Sequence, residues 1–89
     1  KENINFLYCF DTNYNTQAFT SMISLLNNTS RKINIYVIHN EDDFKSKVPN
    51  QIFEHRNLIF FESYKFTDMS LYQSEAATYP QLYISWSAV

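Results

Sequence analysis

Ile4-Asn5-Phe6-Leu7-Tyr8-Cys9-Phe10-Asp11-Thr12-Asn13-Tyr14 decides how the rest of the chain is read. Residues 4–10 form a nearly continuous apolar and aromatic run, the pattern of a strand covered on both faces. The run stops abruptly at a polar loop, Asp11-Thr12-Asn13-Tyr14, and a helical pattern follows at once. An acid, an amide and an aromatic ring therefore sit just past the carboxyl end of a strand. In an open α/β sheet that rim is where ligands bind. The 11–14 loop is the candidate nucleotide site, and the remaining chain either builds the sheet behind it or adds a second wall.

Working outward, residues 16–28 are expected to be a helix. Ala18, Phe19, Met22, Ile23, Leu25 and Leu26 recur at three- and four-residue spacing, giving one broad apolar stripe. Thr12 or Asn13 can cap its start, and Asn27-Asn28-Thr29-Ser30 ends it. A β-rich run at 32–38 is the second strand, closed by His39-Asn40. Glu41-Asp42-Asp43 places negative charge where a following helix dipole favours it. That helix, 43–55, carries Phe44, Val48 and Ile52 on one face, and Pro49 inside the pattern should kink or split it. Residues 57–62 read as a third strand and 63–71 as a loop. From Ala76 onward the spacing of Tyr79, Leu82, Tyr83 and Trp86 predicts a third helix, with Pro80 in its first turn.

The expected order is β-α-β-α-β-α. Such alternation implies a parallel sheet with right-handed crossovers. The fold class is therefore α/β, a three-layer α/β/α half-Rossmann-like arrangement with a three-stranded parallel core in order 3-2-1. Residues 1–89 form a single unit without repeats or linkers.

Composition narrows the function. With 45% hydrophobic residues and 18% aromatics, the chain is too apolar for disorder. A net charge of −2 without a Lys/Arg cluster gives no reason to expect a nucleic-acid partner. One Cys excludes an internal disulfide. No apolar run approaches the ~18 residues of a membrane span, and the N-terminal residues lack the pattern of a signal peptide. Glycine is absent, so Asn13, Asn27, Asn28, Asn40 and Asn57 are expected to serve at turns, where positive φ is often required. Lys1 and Val89 both fall inside continuing patterns, so the sequence reads as a piece of a longer protein.

At three places the chain resembles the family 8 glycosyltransferases of the GT-A fold. Phe10-Asp11-Thr12-Asn13-Tyr14 is similar to the family's D-x-N-Y-like loop after its opening strand. Ser24-Leu25-Leu26-Asn27-Asn28, with Ile33-Asn34-Ile35-Tyr36-Val37-Ile38, looks like its passage into strand two. Ala77-Thr78-Tyr79-Pro80-Gln81-Leu82 is similar to its A-T-Y-x-R-L segment. The likeness runs through nearly all 89 residues in the same order. It implies the nucleotide-sugar-binding N-terminal half of a GT-A domain, with a uridine diphosphate sugar as donor. By position, Asp11 would accept the uracil N3–H, as an acceptor-only carboxylate can. Cys9 would offer backbone groups to the base, Asn13 would reach the ribose, and Tyr14 would stack on the ring. Thr78 would line the pocket, and Gln81 would face the donor.

Two departures follow. Gln81 stands where the family has Arg, and an amide cannot neutralise a diphosphate. The family's D-x-D motif would fall beyond the third segment, and no D-x-D occurs in the 89 residues. The Mn²⁺ or Mg²⁺ of the parent enzyme thus has no ligands here, and the fragment itself is expected to be inactive in transfer. For the parent, the resemblance implies hexose transfer to a cell-surface glycan such as lipopolysaccharide, in the cytoplasm or peripheral to the inner membrane.

Plainer readings stand beside these. Asp11 could cap the first helix. Asn13 could be only a turn residue, Tyr14 a packing aromatic and Cys9 a small core residue. His39 and His55 read as surface or helix-end residues. Tyr79, Tyr83 and Trp86 could leave an apolar surface that favours self-association. A non-catalytic α/β interaction module, receiver- or flavodoxin-like, is the competing class. For a receiver, though, Asp11 stands alone where paired acids are wanted.

Overall fold

A computed structural model describes residues 3–65 and 82–86. In chain order the elements are β1 (Ile4–Cys9), a 3-10 turn (Thr12–Tyr14), α1 (Asn15–Asn27), β2 (Ile33–His39), a second 3-10 turn (Phe44–Lys47), α2 (Asn50–Phe53), β3 (Leu58–Lys65) and β4 (Leu82–Trp86). The strands form one sheet in the order β3-β2-β1-β4, and every neighbouring pair is parallel. The α/β class follows directly.

The sheet has four strands where the sequence suggested three. Leu82–Trp86, expected within a third helix, is β4 and pairs with β1 from Asn5↔Leu82 to Cys9↔Trp86. Helical spacing and a short strand are not separable over so few apolar residues. The expected third layer, Thr78 and Gln81 with it, lies outside the described residues. β3 runs through Lys65, three residues further than the alternation suggested.

The core forms because alternate strand residues meet one helix face. Tyr8 and Phe10 from β1 and its end, Ile33, Ile35 and Val37 from β2, and Phe61 from β3 pack with Ala18, Met22 and Leu26 of α1. Phe44, Val48 and Ile52 close the same core from the β2–β3 connection. Pro49 does split that connection: a 3-10 turn precedes it and a single helical turn follows. Phe10 is the hub. It is fully buried and makes edge-on contacts with Tyr8, Phe19, His39 and Phe44 at centroid distances of 5.0–6.5 Å. Burying one such side chain contributes about 1.5–3 kcal/mol. On the opposite face a smaller cluster gathers Leu7, Cys9, Tyr36 and Ile38, with Tyr64 against it.

The β2–β3 register slips between Ile33 and Asn34, where Ile33 opposes Leu58 and Asn34 opposes Phe60. Ile59 is the residue without a counterpart in this register, and on the edge strand it is 54% exposed.

The glycine-free loops are solved without positive φ. No described residue has φ in the left-handed region, so the expected role of the asparagines is corrected. They act through their amides instead. Asn28 ends α1 by donating Nδ2–H to the Ser24 carbonyl at 2.8 Å. Asn57, 5% exposed, donates to the carbonyls of Leu26 and Thr29. Asn5 and Asn34 pair across the sheet at 2.8 Å.

Candidate functional site at the carboxyl rim of the sheet

The connection from β1 leads to β2 on one side, and the chain later returns to β4 on the other. The strand order therefore reverses between β1 and β4. In open α/β sheets the crevice outside the strand ends at such a reversal is the ligand position. The 11–14 loop borders it. Phe10 anchors the loop by donating its N–H to the Ile38 carbonyl at 3.1 Å.

Asp11 is extended and half-buried, and its Oδ1 accepts the Asn13 N–H at 3.0 Å. The Tyr14 N–H closes onto the Asp11 carbonyl at 3.0 Å. Asp11 thus caps the short 3-10 turn, whereas α1 itself has no side-chain cap at Tyr14. Thr12 and Asn13 do not cap α1. One carboxylate oxygen of Asp11 is used in this turn. Oδ2 makes no hydrogen bond to another described residue. Asn13 is exposed, free to reach outward. Tyr14 is half-buried and leans on the core, which fits packing as well as stacking. Cys9 lies in the ladder between Ile38 and Trp86. Its side chain is buried on the far face, and burial pushes the thiol up from its ordinary value.

The loop after β2 is the second wall. Thr12 Oγ1 donates to Glu41 Oε2 at 2.7 Å and approaches Asn40 Oδ1 at 3.3 Å. The Thr12 hydroxyl is the main reason the Glu41 carboxyl is held below its ordinary range, with Lys47 assisting. Lys47 faces Glu41 Oε1 at 3.5 Å, and Lys65 meets Asp42 at 2.7 Å. The exposed Lys65–Asp42 pair contributes little stability, about 0–1 kcal/mol, but the two pairs leave both lysines engaged with carboxylates. Among the described residues no three His, Cys, Asp or Glu side chains come together to hold a metal.

His39 is the residue the sequence did not reveal as part of this region. It is completely buried, not a surface residue. Its ring lies 4.2 Å from the Phe44 ring and 5.0 Å from Phe10. Nδ1 accepts the Glu41 N–H at 3.1 Å, which places the proton of the neutral ring on Nε2, where it is donated to Asn15 Oδ1 at 2.8 Å. Burial holds the His39 pKa below the usual 6.5, against the opposing pull of Glu41 and Asp11. One signal was available. In β2 the alternation that buries Ile33, Ile35 and Val37 against α1 carries on to His39.

No family model, no curated protein and no solved structure matches this chain. No helix among the described residues is long and apolar enough to cross a membrane.

Proposed function

We propose that this chain is the nucleotide-binding N-terminal portion of a GT-A-type glycosyltransferase whose donor is a uridine diphosphate sugar. One observation carries the reading: the Asp11 loop borders the reversal of strand order between β1 and β4. A carboxylate with a spare acceptor oxygen suits an imide N–H, and the exposed Asn13 amide suits a ribose hydroxyl. The parent would transfer a hexose to a glycan acceptor such as lipopolysaccharide. Its divalent metal would be held by residues other than those described here. The reading also draws on the likeness of Phe10-Asp11-Thr12-Asn13-Tyr14 to the family 8 loop.

Isotope-labelled chain titrated with uridine diphosphate, with and without Mn²⁺, tests this. Amide shifts confined to Cys9, Asp11, Asn13, Tyr14, Thr78 and Gln81, unaffected by metal and lost in Asp11→Asn, are the expected result. A well-folded sample without shifts at millimolar ligand removes the binding claim.

A further inference from the structure

The two walls of the rim are joined through one buried imidazole. His39 Nδ1 takes the Glu41 N–H, and the Glu41 carboxylate takes the Thr12 hydroxyl in the middle of the 11–14 loop. His39 Nε2 holds Asn15, the first residue of α1 and the residue that follows the loop. Neutral His39 therefore fixes the loop at its centre and at its exit. We propose that His39 is a proton-operated latch on the 11–14 loop: protonation at Nδ1 removes the acceptor that holds the Glu41 amide, and Glu41 in turn releases Thr12.

The physical reason is donor against donor. A protonated Nδ1–H would face the Glu41 N–H across 3.1 Å, and the ring, packed between Phe10 and Phe44, has little room to turn away. The Glu41 main chain is the part that can move, because the loop after β2 is at the surface. Among the described residues the groups facing His39 are few. Asp11 from the β1 loop and Glu41 from the β2 loop favour its cation, Lys47 from the 3-10 turn opposes it, and α1 contributes only the neutral Asn15. Burial outweighs the two acids, so the latch stays closed at neutral pH and opens on acidification. The inference concerns loop conformation and stands whether or not the loop binds a nucleotide.

His55 supplies an internal contrast. Its Nδ1 also accepts an N–H two residues on, from Asn57, and its Nε2 also meets an asparagine, Asn27. A loop residue hangs from that second arrangement too, the Thr29 carbonyl on the Asn57 amide, but His55 is only half-buried and its link runs through a neutral amide in place of a carboxylate.

The test is a pH titration of ¹⁵N-labelled chain from about pH 7.5 down to about pH 4.5, following the ring nitrogens and the amides. His39 is expected as the Nε2–H tautomer, titrating below 6.5. The amides of Glu41, Asn13 and Tyr14 should shift with the same midpoint. Hydrogen exchange at Asn13 and Tyr14, corrected for its intrinsic pH dependence, should quicken about tenfold or more. In Thr12→Val, an exposed position, Glu41 should still follow His39 while Asn13 and Tyr14 no longer do. A His39 midpoint at or above 6.5, loop amides that ignore it, or loss of every amide signal together would each overturn the latch. So would a Thr12→Val chain whose loop amides still follow His39.

Discussion

His39 Nε2 lies 2.8 Å from Oδ1 of Asn15, and this bond fastens the first residue of α1 to the last residue of β2. The far end of the helix repeats the arrangement, with His55 Nε2 at 2.9 Å from Oδ1 of Asn27, the last residue of α1. Each histidine uses its other nitrogen to accept the N–H two residues on. The helix is thus held at both ends by imidazoles, while its buried stripe of Ala18, Met22 and Leu26 holds the middle. The two ends differ in burial, and that difference has measurable consequences.

Asn15→Ala strands a donor on a wholly buried ring, whereas Asn27→Ala removes a contact that water can replace. Leaving a buried donor without a partner costs about 1–3 kcal/mol; a surface change away from such a feature costs within about 0.5 kcal/mol. Urea denaturation should therefore show a clear fall in midpoint for Asn15→Ala and almost none for Asn27→Ala. Equal losses would mean that the His39 bond is no more protected than its exposed counterpart.

Stability should also fall with acidification before the carboxylates titrate. The His39 pKa is lowered on folding from 6.5, so below that value the unfolded chain binds a proton that the folded chain refuses. Stability rises with pH wherever the unfolded state binds more protons. The contribution of neutral His39 is present in full above 6.5 and is lost as pH falls from there through the lowered folded value. Glu41, lowered from its ordinary 4.5, adds a separate loss only at more acid pH. Urea midpoints measured at about pH 7.5 and about pH 5.5 check the first window. An unchanged midpoint would show that His39 is not refusing a proton.

Much of this architecture was legible because it rests on periodicity. β1, α1 and β2 were readable to within a residue at each end, since long apolar stripes leave few alternatives. The splitting at Pro49 was readable too, because a missing N–H and a ring clash act locally. β4 was not: Tyr79, Leu82, Tyr83 and Trp86 satisfy helical spacing, and only pairing with β1, about 75 residues earlier, turns Leu82–Trp86 into a strand. The 11–14 loop was legible as the end of a strand. Its link to the β2 loop was not, because the Thr12–Glu41 bond joins residues 29 positions apart. The expectation that asparagine would substitute for glycine failed for a physical reason. The turns stay at negative φ, and the amides are used as donors and acceptors instead.

Asn57 shows how much one such amide does. Its Nδ2 satisfies the Leu26 carbonyl in the last turn of α1 and the Thr29 carbonyl just beyond, while its own N–H meets His55 and its carbonyl receives Ile33 N–H at the start of β2. Asn57→Ala should cost about 1–3 kcal/mol, because a buried carbonyl and a half-buried one lose their donor. Asn57→Asp should cost more near neutral pH, where the carboxylate faces those carbonyls. Thermal or urea unfolding of the two variants gives the order. An Asp variant as stable as the parent chain would remove the amide from this role.

Cys9 gives the sharpest check on whether the far face of the sheet is closed. The thiol is 5% exposed, clustered with Leu7, Tyr36 and Ile38, and burial pushes it above its ordinary value. The reactive species is the thiolate, so the folded chain is short of it for two reasons: the equilibrium fraction is small and reagent access is blocked. A thiol-specific chromogenic disulfide at about pH 8 should react with the folded chain at least about a hundredfold more slowly than with the urea-unfolded chain. The labelling rate should climb with urea along the same curve as unfolding, since opening of the sheet face is what exposes the sulfur. Fast labelling of the folded chain would place Cys9 at an open rim, within reach of ligands. Slow labelling, with the site contributing only its main chain, is the outcome consistent with a core cysteine at the end of β1.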